Sequence, residues 1–143
     1  MLRTAALERD RLGSGRPLLF GVTVLTSLRE KDLFRVGINR SVDGQVKKLS
    51  LLAQDAGLDG VVASGHEISV IRKACGKEWI TLVPGVRLEP GPRKDADQKR
   101  VVTPAQALAQ GANYLIVGRD IYMAQNPRQR VEAMIGATYS IGG

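Results

Sequence analysis

The 143 residues are enough for one domain with a core of its own. A formal net charge of +7 points to anionic partners, while an aromatic content of 4% gives single-stranded nucleic acid little to stack on. No apolar run is long enough to span a membrane, the first residues lack the apolar stretch of a signal peptide, the single Cys75 excludes an internal disulfide, and the single His66 leaves no Cys/His zinc cluster. These features lead to the expectation of a cytoplasmic protein with no metal, nucleic-acid or membrane partner.

In chain order, a helical segment near residues 1–10 precedes four strand-then-helix units. The apolar, β-branched run LLFGVTVLT (18–26) predicts a buried strand. Val46, Leu49, Leu52 and Ala53 fall at helical spacing in 42–57, and Gly57 ends that helix. DGVVAS (59–64) predicts a second strand. Ser64 stands three residues before Glu67, the spacing of a capping box, and opens a helix over 67–76. WITLVPGV (79–86) predicts a third strand, followed by a long charged loop. Thr103 is the expected N-cap of a helix over 103–111, with Pro104 at its first position, Gln106 completing a capping box and Gly111 closing it. NYLIVGR (113–119) predicts a fourth strand, and Asn126-Pro127 starts a last helix over 127–135.

Buried strands alternating with helices imply a parallel α/β sheet. Four such units fit half of a (β/α)8 barrel or a small doubly wound sheet. A dinucleotide-binding open sheet needs a glycine-rich turn after its first strand, and LTSLREKD has no glycine.

Parallel α/β folds bind ligands at the carboxyl ends of their strands. The last two strand ends here read Pro84-Gly85-Val86-Arg87 and Gly118-Arg119-Asp120. Glycine lets a backbone approach a ligand closely, and arginine offers a planar fork of donors to phosphate. Gly-Arg after a strand is also ordinary turn chemistry; two such ends joined by a long charged loop favour a phosphate site. The long loop itself reads as functional or disordered. His66 is expected at the surface near a helix start, Ser64 as a cap rather than a nucleophile, and Cys75 as packed core. Lys31, Lys47, Lys48, Lys73 and Lys77 lie in helices or before strands, and only Lys94 and Lys99 lie on the binding side. No lysine or carboxylate is the last residue of a predicted strand, so the sequence displays a binding half-site without a rigidly held acid or base.

The motifs FGVTVLTSL, GLDGVVAS, LVPGVR and DQKRVVTPAQALAQGANYLIVGRDI, in that order, resemble the carboxyl-terminal half of bacterial orotidine 5′-phosphate decarboxylase. The resemblance implies strands five to eight of a (β/α)8 barrel, a single partial domain over 1–143 lacking the amino-terminal half. It implies conversion of orotidine 5′-phosphate to UMP and carbon dioxide in de novo pyrimidine synthesis, without metal or organic cofactor, and a homodimer in the full-length family. Carried over by motif, Thr26 contacts the pyrimidine, Arg87 binds phosphate, Gln98 reaches over phosphate and base as the loop closes, and Gly118 and Arg119 complete the phosphate site. Pro84 lines the base pocket.

There are departures. The family pattern has proline where Asp120 stands, and proline where Leu88 follows Arg87; the loop to Gln98 is slightly long. A carboxylate beside a phosphate is unfavourable unless it points away. The family's Asp-x-Lys-x-x-Asp motif, which with a further lysine carries the chemistry, does not occur in the chain. The 143 residues alone are therefore expected not to decarboxylate, and to self-associate or need an amino-terminal half. Alternatives are a related sugar-phosphate decarboxylase or aldolase barrel, a non-catalytic nucleotide-binding remnant, and a basic nucleic-acid binder.

Overall fold

The computed structural model describes residues 1–89 and 100–139. Four strands, β1 (Phe20–Val22), β2 (Gly60–Val62), β3 (Ile80–Val83) and β4 (Tyr114–Leu115), form one parallel sheet in the order β1-β2-β3-β4. The helices are α1 (Leu2–Asp10), α2 (Glu30–Arg35), α3 (Val42–Asp55), α4 (Ile68–Cys75), α5 (Pro104–Ala109), α6 (Arg119–Tyr122) and α7 (Pro127–Tyr139). Each strand pairs with the next in sequence, so the winding never reverses. A doubly wound sheet needs such a reversal; sequential winding is that of a barrel wall.

The local signals decide the helix starts. Ser41 accepts the Gly44 N–H at the head of α3, and Thr103 and Gln106 form the reciprocal capping box of α5, with Pro104 at the first turn. Ser64 and Glu67 form another, through a short 3-10 turn that leads into α4.

The strands are shorter than expected because partners, not propensity, set their ends. β2 stops where Ser64 turns the chain into its cap, and β1, paired on one side only, stops with it. At the other end of the sheet, the expected strand 113–119 is cut to two residues because its one partner, β3, ends at Val83 opposite Leu115, and Gly118 then caps the short α6. The α3 stripe also differs. Val46, Ser50 and Ala53 are buried and Leu52 is exposed, so the buried face runs at 46, 50 and 53.

One core lies between the sheet and α3 and α4, around Val46, Ala53, Val61, Ala63, Ile71 and Trp79. A second, of Ile68, Val83, Val86, Val102 and Ala107, lies under α5. The opposite sheet face carries the row Val22–Val62–Leu82–Tyr114, one residue per strand in register. Its edge members, Val22 and Tyr114, are half or more exposed. In a closed barrel such a row is an interior layer.

The amino-terminal side of the sheet is held by Asp59. Its carboxylate accepts the Leu19 N–H at 2.7 Å and pairs with Arg16 at 3.0 Å and with the buried Arg9, whose other nitrogen donates to the Gly57 carbonyl. Burial pulls the Asp59 pKa up, but the Leu19 N–H and the two guanidinium groups outweigh it and hold the acid below its ordinary value. A depressed folded pKa means stability present in full above the unfolded value and lost as the pH falls through the folded one. Asp59→Asn is therefore expected to cost roughly 2 kcal/mol at neutral pH. The two proteins should converge in urea melts as the pH falls through the depressed folded pKa of Asp59. A pH-independent gap contradicts the ion-pair account.

Candidate functional site

The carboxyl ends of β3 and β4 open on a cleft of about 250 Å³, and the ends of β1 and β2 open on a second of about 250 Å³. Pro84 lines both, so the clefts adjoin through one residue. Arg87, Gly118 and Arg119 line the first and Thr26 the second. Four of the five expected site residues thus fall on the same end of the sheet, in two neighbouring clefts. Gln98, Lys94 and Lys99 lie outside the described residues.

The path of the chain through the first cleft is set by a staple. After β3, Gly85 adopts a positive φ of 74°, a conformation that favours glycine. Val86 then pairs in parallel with Val102: the Arg87 N–H donates to the Val102 carbonyl at 3.0 Å and the Val102 N–H to the Gly85 carbonyl at 3.2 Å. The connection between β3 and α5 therefore leaves and returns at one point. Gly65 makes room for the return. A Cβ there would lie 2.7 Å from the Val102 side chain, which is buried and branched and has nowhere to move.

Arg87 is 6% exposed, lines the cleft, and has no hydrogen-bond or ion-pair partner for its guanidinium among the described residues. With the rest of the side chain enclosed, its guanidinium meets water only through the cleft, where an anion can reach it. Asp120, the departure that threatened the site, is 4% exposed and committed elsewhere. Its carboxylate accepts the Leu88 N–H at 2.9 Å and both its oxygens accept from Arg130 of α7, at 3.0 and 3.1 Å. The Asp120 hydrogen bond in turn raises the pKa of Arg130, keeping that guanidinium charged. Asp120 thus fixes the backbone beside Arg87 and is neutralised by Arg130.

The second cleft is built by the turn Val24–Leu28, with Val24 and Thr26 buried. Arg100 reaches it from the far side of the β3–α5 connection, donating to the carbonyls of Leu25 at 2.9 Å and Val24 at 3.4 Å. Its other terminal nitrogen pairs with Glu67. Burial pushes the Glu67 pKa up and the Arg100 charge pulls it back. Sequence reasoning had given Glu67 only its capping role and singled out neither Arg100 nor Arg130. Their partners lie 33 and 10 residues away, and nothing local marks them.

His66 is exposed and Ser64 is a buried cap, as expected. Among the described residues, Asp120 is the sole carboxylate lining either cleft, and no lysine lines them. Among the described residues no His/Cys/Asp/Glu group could hold a metal ion, and no helix is long and apolar enough to cross a membrane. Among the described residues, the first cleft is lined by Arg87 and Arg119 and the second by the hydroxyls of Thr26 and Ser27.

The chain is 47% identical over 135 residues to the orotidine 5′-phosphate decarboxylase of Legionella pneumophila strain Paris, covering 94% of this chain and 58% of that protein. It is 50% identical over 132 residues to that of Moorella thermoacetica, covering 89% and 52%. The crystal structure of orotidine 5′-phosphate decarboxylase from Lactobacillus acidophilus superposes with a TM-score of 0.76 at 27% identity, over 96% of this chain and 58% of that one. The chain therefore spans little more than half the length of these relatives. The model of the orotidine 5′-phosphate decarboxylase / HUMPS family matches residues 1–134, and with the sequential parallel sheet and the paired strand-end clefts it establishes that the chain belongs to that family.

Proposed function

We propose that this chain supplies the phosphate- and pyrimidine-binding half of an orotidine 5′-phosphate decarboxylase site. The observation that carries the reading is Arg87, a buried cation without a partner among the described residues, at a cleft flanked by Gly85 and Gly118-Arg119. The phosphate is assigned to that cleft and the pyrimidine to the adjoining one, where Thr26 and Pro84 stand. Gln98 is assigned contact with both by the motif it shares with the family. The phosphate is remote from the bond that breaks, so its binding energy serves to hold and orient the reacting ring. The carbon–carbon cleavage needs an Asp-x-Lys-x-x-Asp network, and the sequence has none. The homodimer of the full-length family and a cytoplasmic location belong to the same proposal, and the uncovered row Val22–Val62–Leu82–Tyr114 supports the need for an amino-terminal half to close the barrel over it.

Titration calorimetry of the 143-residue chain with UMP, ribose 5-phosphate, ribulose 5-phosphate and uridine tests the reading. UMP is expected to bind more tightly than ribose 5-phosphate, and uridine not detectably. Orotidine 5′-phosphate is expected to bind without turnover. Tighter binding of ribulose 5-phosphate than of UMP would move the chain to a sugar-phosphate barrel, and appreciable release of carbon dioxide would overturn the division between binding and cleavage.

A further inference from the structure

Arg100 joins parts of the molecule that the fold otherwise leaves apart. It stands two residues before Val102, whose bridge to Val86 sets the backbone of Arg87. From there its guanidinium crosses to the Val24 and Leu25 carbonyls of the base-side turn, and to Glu67. The second Glu67 oxygen accepts the Ser64 N–H at 3.1 Å, at the end of β2. The turn itself has one internal bond, Leu28 N–H to the Leu25 carbonyl at 3.0 Å. Among the described residues, Arg100 makes the only hydrogen bonds that tie residues 24–28 to a distant part of the chain. Thr26 follows the two held carbonyls directly.

We propose that Arg100 is a positioning residue for nucleotide recognition: it fixes the distance between the phosphate-side cleft and the turn bearing Thr26, so that base and phosphate are gripped together. The inference rests on the functional reading above and adds to it a source of selectivity for a nucleoside monophosphate over a bare sugar phosphate. The planar guanidinium is what makes the link possible. One nitrogen faces the carboxylate and the other faces two carbonyls, a divergent set of acceptors that an ammonium on a flexible stem does not span in a fixed geometry. Glu67, only 2% exposed at its side chain, is in turn held by Ser64 and cannot swing away with its partner. A residue holding only the fold would affect all ligands alike; one that sets this spacing affects the ligand that touches both clefts.

The test compares UMP with ribose 5-phosphate on the unaltered chain, Arg100→Ala and Arg100→Lys, with thermal melts beside each. Arg100→Ala is expected to weaken UMP about tenfold and ribose 5-phosphate less than about twofold. Arg100→Lys keeps the charge opposite Glu67. It is expected to melt close to the unaltered chain while still losing most of the preference for UMP, and this keeps the comparison decisive if the alanine variant folds poorly. Equal loss for both ligands, or an undiminished preference in Arg100→Lys, overturns the role of Arg100 and leaves the functional reading standing. If the unaltered chain shows no preference for UMP over ribose 5-phosphate, the functional reading falls, and this inference falls with it.

Discussion

Arg87→Met is expected to lower UMP affinity thirty- to a hundredfold, about 2–3 kcal/mol, while raising rather than lowering the melting temperature of the unliganded chain. Both signs follow from one fact. The Arg87 side chain sits in a cleft at 6% exposure with no carboxylate opposite it among the described residues. In the absence of ligand, the cation is hydrated only through the cleft and bears part of the cost of desolvation; with ligand, a phosphate takes the place of that water and forms charge-assisted bonds. Methionine fills similar volume without charge, so it removes the cost and the gain together. The staple Val86–Val102 uses backbone groups only, so it survives the substitution and the cleft keeps its shape. Calorimetric titration and thermal melts on the same preparations read the two effects. Destabilisation of the unliganded chain, or retention of UMP affinity, would contradict the assignment of Arg87 as the phosphate anchor. Arg87→Lys is expected to fall between, since an ammonium keeps the charge and loses the two-pronged geometry.

The sequence is legible wherever an interaction is short-range, and the capping boxes make the point. Ser64 with Glu67, and Thr103 with Gln106, are three residues apart, and both form as expected because an N-cap needs nothing beyond its own first turn. The alternation of strand and helix gave the fold class for a similar reason: burial of both faces of a parallel sheet imposes continuous apolar strands. The ends of those strands were not legible. β4 is two residues long because its partner β3 ends at Val83, and no propensity marks the four-residue helix α6 that follows. Leu52 has the right periodicity for the core and still faces out, since the small Ala53 and Ser50 let α3 pack closely on its other side. That Arg87, Gly118 and Arg119 line one cleft was readable because strand ends in a parallel sheet converge on one side. Arg100 was not, because its partners Glu67 and Leu25 meet it only once the sheet has formed. Charge alone was a poor guide: Asp120 reads as hostile to phosphate until Arg130 is placed against it.

That pairing carries the other large expected effect. Asp120→Ala should cost about 3–5 kcal/mol in urea unfolding, a large part of the stability of a domain this size. The Asp120 side chain is 1% exposed, and its removal strands two donors at once. The Leu88 N–H loses its acceptor, and Arg130, itself 20% exposed at the side chain, keeps among the described residues only Glu89, 3.5 Å away and largely in solvent. The same lesion reaches the site, since Leu88 follows Arg87 and the lost bond frees the backbone at the cleft. Asp120→Asn is the milder probe. It keeps an acceptor for Leu88 and gives up the charge opposite Arg130, so it should cost less than the alanine. The double variant Asp120→Ala/Arg130→Met separates the ion pair from the rest. Removing both charges is expected to recover most of the loss, because the penalty lies in the uncompensated guanidinium more than in the missing attraction. UMP affinity should not recover in the double variant, since neither change restores the acceptor for the Leu88 N–H. A cost below about 1 kcal/mol for Asp120→Ala, the size expected of a surface pair, would show that Asp120 does not anchor this end of the sheet.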